Sequence, residues 1–320
     1  MQKNAYLIAI GLVAVILVGT VAGLYLLNQP ASSTSSTIDQ GSTATAQNST
    51  LQIVAAENFW GSLVSQLGGT HVHVISIVTD PNADPHEYES NSADAIAIAD
   101  ASFVIVNGAG YDTWALSLIA ADNNPNQKVL NVQELIGQSI GANPHFWYSP
   151  YYVNDTVKAM YADLISIDPT NAAYYQQQYI ALNASLGVYN ERIDEIRQQF
   201  AGTKVASTES IFVYLANATG LDLISPPAFM EAVAEGNDPP AQSVVQFEQQ
   251  IEGGNVSVLV YNEQTVTPLT QSIKALAAEH NVPVIGVTET IQPPDVSFQV
   301  WMNSELLSLQ NALNANALGQ

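Results

Sequence analysis

The chain has 320 residues, 47% of them hydrophobic, which is enough for one large core or two medium ones. Lys and Arg number 7 against 29 Asp and Glu, a formal net charge of −22; so few cations cannot replace phosphate counterions, which argues against nucleic acid as a partner. There is no cysteine, so no disulfide, no thiolate metal or redox site and no lipoprotein anchor is expected.

Residues 5–27 carry no charge. At about 1.5 Å rise per residue such a run can span a bilayer, and it is longer than the apolar region of most signal peptides. Lys3 precedes it and the next basic residue is Lys128, an asymmetry that puts the short N-terminus inside and the rest outside. Residues 1–28 are therefore expected to be an uncleaved membrane anchor, with signal-peptide cleavage near Gly23 as the other reading. Residues 29–50, rich in Ser, Thr and Gln, read as a tether.

From residue 51 strands alternate with helices. Apolar runs at 51–56, 72–78, 103–106 and 128–132 predict strands, with helical patterns reaching residue 67 and covering 92–101 and 111–121. This alternation predicts a mostly parallel sheet covered by helices, the N-terminal lobe at 51–168. A different pattern follows. Tyr175, Tyr179, Leu182, Leu186, Tyr189, Ile193, Ile196 and Phe200 are spaced by four and three, one stripe on a continuous helix between Asp168-Pro169 and Gly202. A coiled-coil dimer would give a similar stripe, but the β/α alternation resumes directly afterwards, so 169–202 reads as a helix linking two lobes. In the C-terminal lobe, 203–320, strands are predicted at 204–207, 221–224, 256–260 and 282–286, with helices near 211–219, 241–250, 268–280 and 297–314. The expected fold class is α/β: two Rossmann-like lobes joined by one long rigid helix.

Ligands of open α/β sheets bind beyond the carboxyl ends of the strands. The polar residues at those positions are Glu57, the run Asp84-Pro85-His86-Glu87-Tyr88-Glu89, the run Asn143-Pro144-His145-Phe146-Trp147, Thr208-Glu209-Ser210 and Thr288-Glu289-Thr290. Two of the five histidines thus follow prolines in loops of the first lobe, and two carboxylates stand at comparable places in the second. Two neutral imidazoles and two carboxylates would neutralise a divalent cation and supply four donor atoms. Each residue also has a plainer reading: a loop histidine on the surface, a glutamate at a helix N-terminus. Glu57 reads either as the start of a helix or as a group that orients His86 or His145. His71 and His73 read as one solvated strand face, His280 as a partner of a helix end, the tryptophans as core or lobe-interface residues, and the stretch around Pro226, Glu235 and Asp238 as a polar loop.

The segment from Asp84 to Glu89, then Ala95, Asn107-Gly108 and Trp114, resembles the first lobe of the zinc/manganese-type receptors of ABC importers. Pro144-His145-Phe146-Trp147 and the run from Asp168 to Tyr175 resemble that family's second histidine loop and linking helix, and Glu209 to Leu221 and Val287 to Ile291 its third and fourth ligand segments. The resemblance covers residues 52–313. It implies an extracytoplasmic, monomeric solute receptor, not an enzyme, with a divalent metal (Zn²⁺ or Mn²⁺, with Fe²⁺ as a further candidate) between the lobes. The ligands it implies are His86, His145, Glu209 and Glu289, and its partners are an ABC permease with a cytosolic ATPase. The third position, His in many zinc members, is Glu209 here, and the fourth, commonly Asp, is Glu289; the His-rich loop of zinc importers is missing. These departures leave the metal open. A secreted metallohydrolase and a metal-binding surface adhesin are the competing readings.

Overall fold

The computed structural model describes residues 50–319. The expected anchor and nearly all of the tether lie outside the described residues. Among those residues no helix is long and apolar enough to cross a membrane.

In the first half β1 (Leu51–Glu57), β2 (Val72–Val78), β3 (Phe103–Val106) and β4 (Lys128–Asn131) are interleaved with α1 (Asn58–Gly68), α2 (Ser92–Asp100), α3 (Thr113–Asp122) and α4 (Val132–Leu135). The strands form one parallel sheet in the order β2-β1-β3-β4. Residues 53–56 of β1 and all of β3 are buried, because helices cover both faces; hence these strands read as unbroken apolar runs rather than alternating ones.

Helices α5 (Pro150–Ile167) and α6 (Ala172–Phe200) follow. α5 has no counterpart among the elements expected from the sequence. It begins as a helix should, with the Ser149 hydroxyl accepting the Tyr152 N–H and Pro150 in the first turn, and it buries Val153, Val157, Met160 and Leu164. The 29 residues of α6 span about 43 Å. Its stripe is buried as the spacing predicts, at Tyr175, Leu182, Leu186, Tyr189, Ile193 and Ile196, and Tyr179 stacks on Tyr161 of α5 at 4.4 Å. The stripe packs within the chain, against α1, α5 and later elements, so it needs no coiled-coil partner to be covered.

In the second half β5 (Lys204–Ser207), α7 (Val213–Thr219), β6 (Asp222–Leu223), α8 (Pro227–Ala234), α9 (Ala241–Glu252), β7 (Leu259–Asn262), α10 (Pro268–Glu279), β8 (Val284–Val287) and α11 (Phe298–Gly319) build a second parallel sheet, ordered β6-β5-β7-β8. The sequence places β7 and β8 two to three residues early. It also reads the start of α8 as loop: Pro227 is the first residue of a helix, where a missing N–H costs nothing. The fold is the expected one, α/β with two parallel sheets and a long helix. One apolar core runs from Ile53 and Phe103 in the first sheet through the α6 stripe to Val260 and Val287 in the second and Leu306 in α11.

Candidate metal centre

His86 lies in the 3₁₀ turn Pro85–Glu87, after β2 and a Pro/Asn/Asp loop. The turn is held by Asp84, whose Oδ1 accepts the His86 N–H at 2.9 Å. The imidazole stands edge-on to Tyr111 with ring centroids 4.7 Å apart. His145 is fixed more heavily. Its N–H and its Nδ1 both meet Asn143 Oδ1, at 3.1 and 2.7 Å. The carbonyl of Pro144 accepts from Asn107 Nδ2 at 2.8 Å. Asn107 is itself placed by Trp60, whose Nε1 donates to its Oδ1 at 3.2 Å, and by Asp112, which accepts its N–H. Gly108 beside it has φ +79°, and a Cβ there would lie 2.4 Å from Asn131 Oδ1, so both its backbone and its surroundings require glycine.

Glu209 and Glu289 come from the second sheet, just past the ends of β5 and β8. Both are fully buried, as is His145. Nδ2 of Asn262, the last residue of β7, donates to Glu209 Oε1 at 3.0 Å and to Glu289 Oε1 at 2.8 Å. The Tyr111 hydroxyl donates across the lobes to Glu289 Oε2 at 2.7 Å. The Glu289 and Thr290 N–H groups donate to Gln264 Oε1, at 2.7 and 2.9 Å, and Gln264 Nε2 donates back to the Ala83 carbonyl of the first lobe at 2.9 Å. Behind the Glu289 loop, Glu305 of α11 accepts from the Thr288 N–H at 3.0 Å and from the Tyr148 hydroxyl at 2.8 Å.

These supports bring four donor atoms together. His86 Nε2 lies 3.4 Å from His145 Nε2 and 3.3 Å from Glu289 Oε2. His145 Nε2 lies 3.8 Å from Glu289 Oε2 and 4.0 Å from Glu209 Oε2. One ligand atom from each residue lies within 4.8 Å of the others. Tetrahedral bonds of about 2.0–2.2 Å would set ligand atoms about 3.3–3.6 Å apart; the His86 contacts already have that spacing, and the wider pairs would have to close by up to about 1 Å. Because Nδ1 of His145 meets a carbonyl oxygen, that nitrogen carries the proton, and Nε2 is left with a lone pair toward the cluster. Glu209 Oε2 is buried with no hydrogen-bond partner.

The electrostatics follow from burial. Burial and the Glu289 charge push the Glu209 carboxyl well above its usual range. Burial opposes ionisation of Glu289 too, but the neighbouring His86 and His145 imidazoles and the Tyr111 hydroxyl outweigh it and hold its carboxyl down at about 2. Burial lowers His145, keeping it neutral. Asp84 is raised to about 6 by burial and the Glu289 charge. A divalent cation would offset the cost of burying two carboxylates together, because it supplies positive charge beside them.

Glu57 stands at the start of α1, as one of its two sequence readings has it. It ends β1 in the N-cap position of α1 but makes no cap bond, and it does not join the histidines. Its carboxyl is buried beside Asp112; burial, then the Asp112 charge, push its pKa well above the usual range. His71 is not part of a strand face with His73 either: it lies in the 3₁₀ turn before β2, its ring 4.5 Å from Tyr174. Trp60, Trp147 and Trp301 are core, as expected. A cavity of about 1010 Å³ opens beside the cluster, lined among others by Asp84, His86, Asn143, Met230 and Glu235; Glu235 thus rims the cleft.

The sequence does not assign roles to Tyr111, Asn143, Asn262 or Gln264. Asn143 stands two residues before a candidate histidine, which is a usable signal for a residue orienting it. The others act from sequence distances that only the fold closes.

A family model for "Zinc-uptake complex component A periplasmic" (ZnuA) matches residues 53–312. Among curated relatives, the manganese-binding lipoprotein MntA of Halalkalibacterium halodurans is 27% identical over 181 residues, 54% of this chain and 59% of that protein. The high-affinity zinc uptake system protein ZnuA of Bacillus subtilis is 20% identical over 207 residues, 59% and 64% of the two chains. The chain thus spans about six tenths of the length of these curated relatives. A crystal structure of ZnuA superposes with a TM-score of 0.68 at 25% identity, covering 84% of this chain and all of that one. The match to most of the described residues, with the same two-lobed fold, shows that the chain belongs to the ZnuA family.

Proposed function

We propose that this protein is an extracytoplasmic receptor that captures one divalent transition-metal ion between its lobes and delivers it to an ABC permease driven by a cytosolic ATPase. His86, His145, Glu209 and Glu289 are the ligands. The observation that carries the reading is the gathering of four donor atoms, among them Glu209 Oε2, which is buried without a hydrogen-bond partner and stands 4.0 Å from His145 Nε2; a buried polar atom of this kind calls for a partner. Family membership supports the transport role. The protein acts as a monomer held outside the cell by residues 1–28, with residues 29–50 as tether, 51–168 and 203–320 as lobes and 169–202 between them.

Zn²⁺, Mn²⁺ and Fe²⁺ all suit two imidazoles and two carboxylates, and zinc binds most such sets more tightly. The protein is not an enzyme on this reading. A catalytic metal keeps a coordination position for water, with a base beside it, whereas four protein donors are gathered here. Isothermal titration of the full chain with Zn²⁺ and Mn²⁺ should give one equivalent bound. His86→Ala and His145→Ala should each lower the affinity at least about tenfold; affinities unchanged in both variants would overturn the assignment.

A further inference from the structure

Asn262 does more than fill space beneath the site. Its Oδ1 accepts the Gln264 N–H at 2.9 Å, which fixes the amide so that Nδ2 faces the two glutamates. That nitrogen has two hydrogens, and it lies 3.0 Å from Glu209 Oε1 and 2.8 Å from Glu289 Oε1. Thr265 Oγ1, 3.0 Å from the same nitrogen, is 3.4 Å from Glu289 Oε1 and is free to turn its own proton there. Both Oε1 atoms are therefore tied back to one nitrogen, and both Oε2 atoms face the histidines. Tyr111 takes up one lone pair of Glu289 Oε2 and leaves the other for an ion.

We propose that Asn262 is a specificity-determining residue: by tying back one oxygen of each glutamate it makes both carboxylates monodentate, so the site holds an ion in four-coordination and favours zinc-like ions over manganese. The inference rests on the ligand assignment above. To chelate through both oxygens, either glutamate must break a hydrogen bond in a buried site. Two nitrogens and two single oxygens make a tetrahedral set, which suits Zn²⁺; Mn²⁺ prefers six oxygen-rich ligands. Removing the amide takes away the one donor shared by both Oε1 atoms, leaving Glu289 Oε1 only the 3.4 Å contact with Thr265, and lets the coordination number rise.

Co²⁺ is the probe, because its visible absorption is intense in four-coordination and weak in six. The full chain, titrated with Co²⁺ alone, should bind one equivalent with the intense spectrum. In Asn262→Ala and the smaller change Asn262→Ser, one equivalent should still bind, but the absorption should collapse toward the weak form. The ratio of Zn²⁺ to Mn²⁺ affinity should fall at least about tenfold. A weak six-coordinate spectrum in the unaltered chain overturns the inference whatever the variants do, as do folded variants that keep both spectrum and ratio. Failure of the unaltered chain to bind Co²⁺ at all would instead remove the ligand assignment itself.

Discussion

Asn143 Oδ1 lies 2.7 Å from Nδ1 of His145 and 3.1 Å from the N–H of the same residue, so one side-chain oxygen sets both the tautomer and the backbone placement of a buried imidazole. Asn143 also reaches the other lobe, donating from Nδ2 to the Ser210 carbonyl at 2.7 Å. Replacing it by Leu removes the acceptor, frees the ring to turn and lets the proton move to the nitrogen that faces the cluster. Asn143→Leu should therefore weaken Zn²⁺ binding about 10- to 100-fold. Asn143→Asp, which keeps the acceptor, should recover much of that loss. Equal titration curves for Asn143→Leu and the unaltered chain would show that the contact does not orient His145.

A captured ion should stabilise the fold, since the four donors meet only in the folded chain. At a free concentration a hundredfold above Kd the gain is about 2.7 kcal/mol, which for a chain of this size raises Tm by about 5 °C. His86→Ala should abolish most of that rise while leaving the metal-free Tm within about 1–2 °C, because His86 is the one member of the set that is not fully buried. Calorimetry with and without chelator tests both statements.

The buried acids give stability a definite slope with pH. Burial raises Glu305 to about 8 and Asp112 to about 6, and Glu57 is raised as well. Between a carboxyl's ordinary value and its raised one, the folded chain keeps a proton that the unfolded chain has lost. Stability is then full below the ordinary value and falls as pH climbs, by about 1.4 kcal/mol per unit for each such proton. The metal-free chain should have a higher Tm at pH 5 than at pH 8, and Glu305→Gln should flatten the slope and stabilise the chain at pH 8. A Tm that rises over the same interval contradicts this account.

Gln264 joins the lobes through both ends of its amide, accepting from Glu289 and Thr290 and donating to Ala83. Gln264→Ala leaves two buried N–H groups of the Glu289 loop without an acceptor, a loss of about 1–3 kcal/mol. Metal release to a competing chelator should accelerate by a comparable factor, about 5- to 150-fold, as read by stopped flow. A variant with the original release rate would show that this bridge does not help to hold the ion.

Local patterns in the sequence foretell much of this architecture. The four-and-three spacing of Tyr175, Leu182, Leu186 and Tyr189 predicts α6, and the apolar runs at β1 and β3 predict strands buried on both faces. The signal for α5 was equally present in Ser149, Pro150 and the spacing of Val153, Val157, Met160 and Leu164. For the centre, Pro-His loops and glutamates beyond strand ends point to the residues that the fold gathers. Asn262 and Tyr111 stay hidden in the sequence because their partners lie 27 and 178 residues away. Glu57 is legible as the start of α1, but its burial beside Asp112 is not, because that pair meets only when β1 packs against the loop after β3.

His145, Glu209 and Glu289 are sealed from solvent, whereas the His86 side chain keeps 19% of its surface exposed at the rim of the cleft. An ion held by four donors departs by losing them in turn, and the first loss happens where an outside molecule can step in. In the proposed site that place is His86. Water, a proton or a rival chelator meets this imidazole before any other donor. The sealed three govern the depth of the well, and the fourth governs the residence time of whatever falls into it.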